Sequence, residues 1–394
     1  MTNTFNVSVI GAGIISHTYL DNIRRSPDLK LRYICSKSGV TAQKQAAIWG
    51  GKPASLAEIL ADTATDIVVN LAPPSTHYEI GAAILRAGKH LYSEKPFATS
   101  LEAAKELVAM AAAKDLKIGC APDTFLGPAH QAARRALDSG VIGRIVGGAV
   151  AVQNRGVESW HPNPAAFYQP GGGPLLDLGP YYITNLVHLL GPVVEVCGFA
   201  TQPAKTRGYL DAMSRAASLD VLVPTTFNGA LIFENGANVG LSASWDVWNH
   251  RRLPIELYGE KGTLVTADPN FFVGGVEISE TGGQWKPYEG HVPLPKPTLD
   301  ANVVRKALKL IAAGIDPMSG KPLGSTDKPL LGDLRGLGVI DLAASIREQR
   351  APRASGDLAL HILEVLLAFE EASRERRTIA IRSTATRPPT FVSA

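Results

Sequence analysis

The sequence predicts an α/β protein in which an N-terminal doubly wound parallel sheet precedes an α+β domain built on a large, mostly antiparallel sheet. Three observations carry this reading. Short β-branched runs alternate with Ala-rich helical patterns through the first third of the chain. The turn Gly11-Ala12-Gly13 stands between the first such run and the first helix. From Val193 to about Val276 the runs become β-rich with hairpin punctuation.

Asn6 to Ile10, Leu31 to Ser36, Asp66 to Leu71, Lys89 to Tyr92 and Lys117 to Cys120 read as buried strands of one parallel sheet. Strand–helix–strand repetition implies right-handed crossovers. Ser55 with Glu58, Thr76 with Glu79, and Thr99-Ser100 with Glu102 fit capping boxes, in which a hydroxyl and a carboxylate satisfy orphan helix amides reciprocally. Beyond Asp123 a helix from Pro128 to Ser139 leads into a strand from Ile145 to Gln153. Asn235-Gly236 predicts a hairpin turn whose two residues both take positive φ, and Glu260-Lys261-Gly262 a second tight turn. A last helix carries Leu358, His361, Ile362, Val365, Leu366 and Phe369 on one stripe, and the polar tail after Ile381 reads as a surface strap.

A chain of 394 residues accommodates two or three domains, and the change of pattern places the boundary between residues 1–124 and 125–394. With 45% hydrophobic and 19% charged residues it can bury sizeable cores, which excludes a wholly disordered or fibrous protein. Thirty-nine basic against 36 acidic residues leave a net charge of +3, too little to point to nucleic acid as the partner. The three cysteines, Cys35, Cys120 and Cys197, are too far apart for a zinc knuckle or a disulfide framework. Nine scattered histidines offer no ligand spacing, so no metal is expected. No apolar run reaches the ~18 residues of a membrane span, and Met1-Thr2-Asn3-Thr4 passes directly into a strand-like run. The expectation is a cytoplasmic protein without a membrane partner.

The chemistry-bearing positions fall at strand ends and in one glycine-rich segment. In Gly11-Ala12-Gly13-Ile14-Ile15-Ser16 the first glycine permits the tight turn and the second lets backbone approach a pyrophosphate at a helix N-terminus. Ser16, in place of a third glycine, is small enough to keep helix and strand close. About 20 residues on, an acidic residue would hold the ribose 2′-hydroxyl of NAD. Here the strand ends in Cys35-Ser36-Lys37, and no acid occurs between Asp28 and Glu58. A hydroxyl and an ammonium favour a 2′-phosphate, so NADP is preferred; with Lys37 a solvated loop lysine, NAD binds as well. Lys95 follows a strand and is fixed by Pro96, which aims it at the edge where open α/β sheets bind ligands. Gly171-Gly172-Gly173 precede Asp177 and Tyr181, with Pro180 suited to the first turn of a helix capped by Gly179 and running to about Leu190. By spacing alone this pair reads equally as a helix cap with a half-buried aromatic or as a functional pair.

Taken together, the runs GAGIIS, SEKPFATS, HPNPAAFYQPGGGPLLDLGPYYITNLVHLLGP and ASGDLALHILEVL resemble the Gfo/Idh/MocA oxidoreductase family along essentially the whole chain. The resemblance implies that Lys95, Asp177 and Tyr181 form the catalytic set, with Tyr181 where inositol-dehydrogenase-like members carry His. In this it is similar to the glucose–fructose oxidoreductase and dihydrodiol/xylose dehydrogenase branch. It further implies that the turn Ala72-Pro73-Pro74 lies beside the nicotinamide, with Gly11, Gly13, Ile14, Ile15, Ser36, Lys37, Glu94 and Lys95 as the other cofactor contacts. His77, just after that turn, reads as structural, as does His188. Asp123, Trp160 and His161 join Lys95, Asp177 and Tyr181 as substrate-contact candidates; for Trp160 and His161 a lid or sugar-stacking role stands beside ordinary loop packing.

Oxidising a C–OH group requires taking the hydroxyl proton while hydride leaves for the cofactor. A free tyrosine titrates near ~10, and lowering that by three units takes ~4 kcal/mol of preferential phenolate stabilisation. One ammonium at ~4 Å in an effective dielectric near 20 supplies about that much before desolvation. Tyr181 is therefore expected as acid/base, Lys95 as its electrostatic partner and Asp177 as the carboxylate that orients a polyol. The leading expectation is a sugar or polyol dehydrogenase oxidising a cyclic aldose at C1 to a lactone. Oxidation of a glycoside at C3, redox-assisted glycoside cleavage, and a non-catalytic NAD(P)-sensing regulator are the alternatives. The family resemblance also implies a homodimer or homotetramer formed through the C-terminal sheet.

Overall fold

The computed structural model describes residues 4–161, 163–208, 218–290, 301–325 and 329–391. In chain order the first elements are β1 (Phe5–Ile10), α1 (Ser16–Arg25), β2 (Leu29–Cys35), α2 (Val40–Trp49), β3 (Lys52–Pro53), α3 (Leu56–Ala61), β4 (Ile67–Asn70), α4 (His77–Arg86), β5 (His90–Ser93), α5 (Leu101–Ala112) and β6 (Ile118–Cys120). Next come α6 (Pro128–Asp138), β7 (Ile145–Gln153), α7 (Pro174–Leu190), β8 (Val193–Thr201), β9 (Thr206–Gly208), β10 (Ser218–Asp220), β11 (Thr226–Phe233), β12 (Asn238–Ser244), β13 (Ile255–Gly259), β14 (Gly262–Thr266), β15 (Glu277–Glu280) and β16 (Lys286–Pro287). The chain ends with α8 (Ala301–Ala312), α9 (Leu337–Arg347), α10 (Gly356–Glu375) and β17 (Ile379–Ala380).

These elements form two compact units, Met1–Asp123 with Lys306–Leu360, and Thr124–Arg305 with His361–Ala394. A single cut at residue 124 therefore leaves out the late segment that returns to the first unit. Its reason is hydrophobic: Val339, Leu342 and Ala343 of α9, fully buried, share a core with Val7, Val9, Tyr19, Leu20 and Tyr92. Truncating one such side chain to Ala typically costs ~2–5 kcal/mol, so the returning segment is integral to this core.

Among the described residues the first sheet has six strands in the order β3-β2-β1-β4-β5-β6, every neighbouring pair parallel. β1 lies between β2 and β4, so the connections diverge from it, and the carboxyl ends of the strands collect along one edge. Helix starts match the expected chemistry unevenly. Ser55 and Glu58 form the full reciprocal box. Ser100 caps α5 by accepting from the Ala103 amide. Thr76 makes no cap bond; its hydroxyl donates instead to the Pro73 carbonyl at 2.8 Å, because a short 3-10 turn, Pro74–Thr76, precedes α4.

In the second unit the described strands form a sheet ordered β16-β15-β14-β13-β7-β12-β11-β8-β17. Only the central β7–β12 pair is parallel. The turn between β11 and β12 differs from the expected two-residue form. Only Gly236 has positive φ (84°), and the Phe233 amide bonds the Ala237 carbonyl at 3.0 Å, a three-residue loop closed by a left-handed glycine. α7 packs on β7 and β12. It starts six residues earlier than expected: Gly173 (φ 93°) is its cap, Pro174 holds the first position, and Pro180 lies inside the helix. The stripe on α10 is buried throughout, from Leu358 to Phe369. The tail after Ile381 is strapped down by Arg387, which donates to the His188 and Leu189 carbonyls, and by the Phe391 amide on Gln131.

Candidate active site

Each residue expected to face the cofactor stands just beyond a strand of the first sheet. Gly11 follows β1 with φ 100°. A Cβ there would lie 2.4 Å from the Leu71 carbonyl oxygen, in the loop after β4. The glycine is thus required twice, by its left-handed backbone and by the approach of the neighbouring loop. At Gly13 the requirement is different: a Cβ would meet nothing within 4 Å, and both Gly13 and Ile14 are exposed. Ser16, completely buried, donates to the Gly13 carbonyl at 2.6 Å and so ties the loop to the start of α1. The turn therefore presents open backbone ahead of a ten-residue helix, a shape that accepts a pyrophosphate.

After β2, Ser36 accepts from the Ala42 amide in the first turn of α2 at 3.1 Å, and Lys37 is exposed beside it. After β4, Ala72 is half-buried and Pro73 exposed. After β5, Glu94 binds on two sides: Tyr19 donates its hydroxyl to Oε1 at 2.7 Å, and the Lys95 amide donates to Oε2 at 2.9 Å. Burial, reinforced by Glu94, holds the Tyr19 phenol well above its ordinary value, so it stays a donor. Lys95 is half-buried. The thiols of this unit are not poised for chemistry, since burial raises Cys35 and drives Cys120 well above the ordinary range.

Asp123, after β6, has a different setting from the one expected of a substrate ligand. It is 1% exposed, and its Oδ2 accepts from the Gly336 and Gly338 amides at 2.9 and 2.8 Å. Burial pushes its carboxyl up to about 6, against the opposing pull of those two amides. The carboxylate serves the entrance of α9, more than 200 residues away in sequence.

In the second unit, Asp177 occupies the first turn of α7 and Tyr181 lies one turn on, the i, i+4 positions of one helix face. Asp177 is half-buried and Tyr181 is 7% exposed. The loop ahead of α7 is held by a buried ion pair. Arg207 meets Glu158 at 3.1 Å and donates to the Tyr168 hydroxyl at 2.9 Å and the Trp245 carbonyl at 2.6 Å. On this anchored loop Trp160 and His161 meet edge to face at 5.4 Å, and His161 meets Phe167 at 4.6 Å. Burial holds the His161 imidazole below its usual value, while the Asp177 carboxylate pulls the other way. His188 is fully buried, its ring nitrogens facing Gln131 and Arg134, as a packing residue should be. Among the described residues no group of three or more His, Cys, Asp or Glu could hold a metal, and no helix is long and apolar enough to cross a membrane.

Sequence reasoning misses Tyr19 beside the Lys95 loop and Glu158, Tyr168 and Arg207 beside α7. Tyr19 orients Glu94; its only signal is a hydroxyl-bearing aromatic on the buried face of the helix after the glycine turn.

Comparison with known proteins agrees with this organisation. A family model described as "Oxidoreductase family, NAD-binding Rossmann fold" matches residues 5–121, and one for the GFO/IDH/MocA C-terminal domain matches residues 130–265. An uncharacterized oxidoreductase of Schizosaccharomyces pombe is 33% identical over 146 residues, 36% of this chain and 39% of that protein, so the chain spans about two fifths of that relative. The scyllo-inositol 2-dehydrogenase (NADP(+)) of Bacillus subtilis is 25% identical over 74% of this chain and 84% of its own. The D-glucoside 3-dehydrogenase of Escherichia coli is 28% identical over 62% and 71%. The WlbA dehydrogenase of Bordetella pertussis, solved with NADH and UDP-GlcNAcA, shares the fold with a TM-score of 0.71 at 22% identity, covering 96% of this chain and 98% of that one. Matching the two domain models in order along its length, this chain belongs to the Gfo/Idh/MocA oxidoreductase family.

Proposed function

We propose that the protein is an NAD(P)-dependent dehydrogenase of a sugar or polyol, acting on a ring C–OH. The observation that carries the reading is the assembly at one sheet edge of the open Gly11–Gly13 turn, the Ala72-Pro73 turn and the Lys95 loop. The residues present fit a dinucleotide: Gly13 has free space where a side chain would stand, and no carboxylate follows β2 until Glu58. When bound, the nicotinamide supplies the hydride acceptor. Tyr181 takes the hydroxyl proton, Lys95 stabilises the phenolate and the substrate oxygen, and Asp177 accepts hydrogen bonds from neighbouring hydroxyls to fix which C–H faces the ring. Trp160 and His161 complete the sugar contacts, whereas Asp123 acts only through α9.

NADP is the preferred cofactor in this reading and NAD a second substrate. Ser36 accepts from α2 and so keeps its hydroxyl proton to donate, and Lys37 adds a cation, the pair a 2′-phosphate needs. For the reaction, C1 oxidation of a cyclic aldose to a lactone stands first. C3 oxidation of a glycoside is the second reading, favoured by the likeness to a D-glucoside 3-dehydrogenase and a scyllo-inositol 2-dehydrogenase. Assembly through the second sheet is part of the same reading, supported by Phe199 on β8, which is 65% exposed; the molecular mass in solution checks it.

The deciding experiment screens aldoses, cyclic polyols and glycosides with NAD and NADP in parallel and identifies the product. A lactone with stoichiometric NADPH supports C1 chemistry, and a 3-keto product the second reading. Lys95→Met is expected to keep cofactor binding and lower kcat by at least ~100-fold, the scale of a lost transition-state charge contact. Unchanged turnover would remove Lys95 from the mechanism, and cofactor binding without turnover on the whole panel would favour a nucleotide sensor.

A further inference from the structure

We propose that His77 is a positioning residue for hydride transfer: one buried ring that ties the turn after β4 to the loop carrying Lys95. The inference rests on the dehydrogenase reading above and adds to it a residue that touches neither substrate nor cofactor.

His77 is the first residue of α4 and is 1% exposed. Its Nδ1 lies 2.7 Å from the Pro96 carbonyl oxygen and its Nε2 2.7 Å from the Ala72 carbonyl oxygen. The two carbonyls belong to different loops, one beside the expected nicotinamide position and one immediately after Lys95. Asn70 closes the same circuit, accepting from the Ala72 amide at 3.2 Å and donating to the His77 carbonyl at 3.3 Å. On the other side of Lys95, its own amide is held by Glu94, which Tyr19 fixes in turn. The backbone of Lys95 is thus gripped before and after the residue, by Glu94 and by His77.

Helix capping does not account for this arrangement, because the cap position of α4 is Thr76 and a histidine one residue later needs no partner on the β5 loop. Both partners of the ring are carbonyl acceptors, so a neutral ring donates to one of them and sets its second nitrogen against the other, and only the protonated ring donates to both. An apolar side chain of equal size would fill the space and offer neither carbonyl a donor. Each such bond contributes only ~1 kcal/mol to stability. A misplacement of ~1 Å at a reacting centre, by contrast, costs ~100-fold in rate. The larger consequence of losing the ring is therefore expected in turnover and cofactor affinity.

The two bonds can be separated by geometry. An Asn amide reaches the place of Nδ1 and keeps the Pro96 bond, whereas a Gln amide reaches the place of Nε2 and keeps the Ala72 bond. The test compares His77→Asn, His77→Gln and His77→Leu in the full chain by kcat, KM, thermal midpoint and direct titration of NADPH fluorescence. His77→Gln is expected to lose at least ~10-fold in kcat with NADPH affinity held within ~3-fold, a fraction of the misplacement cost. His77→Asn should do the reverse, weakening NADPH while kcat stays near wild type, and His77→Leu should lose both. Should the Leu variant not fold, the Asn and Gln pair decides. Equal effects of Asn and Gln, or a Leu variant with kcat and affinity within ~2-fold of wild type, would overturn the proposal, since neither bond would then matter to the ~100-fold term. Failure of the wild-type protein to bind either NADPH or NADH would instead overturn the dehydrogenase reading on which this one rests.

Discussion

The edge of the first sheet and the start of α7 both set glycine and proline beside residues proposed for chemistry, yet opposite constraints hold them. At the sheet edge, backbone meets backbone: the Cβ position of Gly11 lies 2.4 Å from the Leu71 carbonyl oxygen, and Lys95 is gripped through main-chain groups. At α7 the contacts are between side chains. Gly179 lies between Asp177 and Tyr181, and a Cβ there would meet the end of the Leu366 side chain at 2.6 Å. The Leu71 carbonyl belongs to a peptide chain tethered beside the sheet, its own amide donating to the Ile10 carbonyl at 2.7 Å, and yields less readily than a leucine methyl, which can rotate away. The comparison teaches that the first region is specified atom by atom and the second by packing.

The sharpest way to break the comparison is Gly11→Ala. The substitution adds left-handed strain of ~1–2 kcal/mol and an overlap with backbone of a further ~1–3 kcal/mol. Chemical denaturation should show a loss of about 3 kcal/mol or more, with NADPH binding abolished or strongly weakened. A variant of wild-type stability and affinity would show that the β4 loop moves freely, and the contrast with α7 would be lost.

Next in size is a change of opposite sign, at the last strand end of the same edge. The Asp123 carboxyl is raised from 3.8 to about 6, so between these values the folded chain retains a proton that the unfolded chain has released. Its contribution to stability is complete below the unfolded value and is lost as pH rises through about 6, up to roughly 3 kcal/mol in all. Asp123→Asn is neutral at every pH and still accepts from the Gly336 and Gly338 amides. It should therefore exceed wild type in stability at pH 7.5 by roughly 1–3 kcal/mol, with the advantage shrinking toward pH 4. His17 and His130, both held neutral by burial with values of about 4, lose stability as pH falls, but do so equally in the two proteins. The difference between the denaturation curves isolates Asp123, and equal stabilities at pH 7.5 would mean that its burial carries no charge penalty.

What could be read from sequence follows the same division. The five strands of the βα units and the full Ser55–Glu58 box are local, and the chain announces them within a few residues. Asp123 looked like a ligand because it ends a strand; its partners, Gly336 and Gly338, arrive with a segment no local pattern connects to it. The Thr76 box failed because a short 3-10 turn took the hydroxyl first. α7 starts earlier than the sequence predicts because proline ordinarily marks a first turn and two prolines compete here: Pro174 takes that place while Pro180 is carried inside. The positions of Lys95, Asp177 and Tyr181 are legible as residue types at a strand end and near a helix start. The grip of Glu94, Tyr19 and His77 on the lysine loop is not, since it links the ends of separate strands.

The smallest effect, and the finest test of the contrast, is Gly179→Ala. Inside a helix, Ala gains ~1 kcal/mol over Gly in propensity. Against this stands the overlap with Leu366, ~1–3 kcal/mol if the core were rigid and less once the leucine takes another rotamer. The two terms nearly cancel, so stability should stay within about 1 kcal/mol of wild type, well short of the loss at Gly11. Activity is the more telling readout. A new methyl between Asp177 and Tyr181 that presses on α10 shifts α7 by a few tenths of an ångström, and a proton-transfer pair feels that shift in kcat before stability registers it. A fall in kcat at constant stability and constant NADPH affinity would show that the seat of α7 on α10 sets the position of Tyr181. A large loss of stability would instead show that side-chain packing here is as unyielding as the peptide carbonyl at Leu71, and the two regions would be built alike.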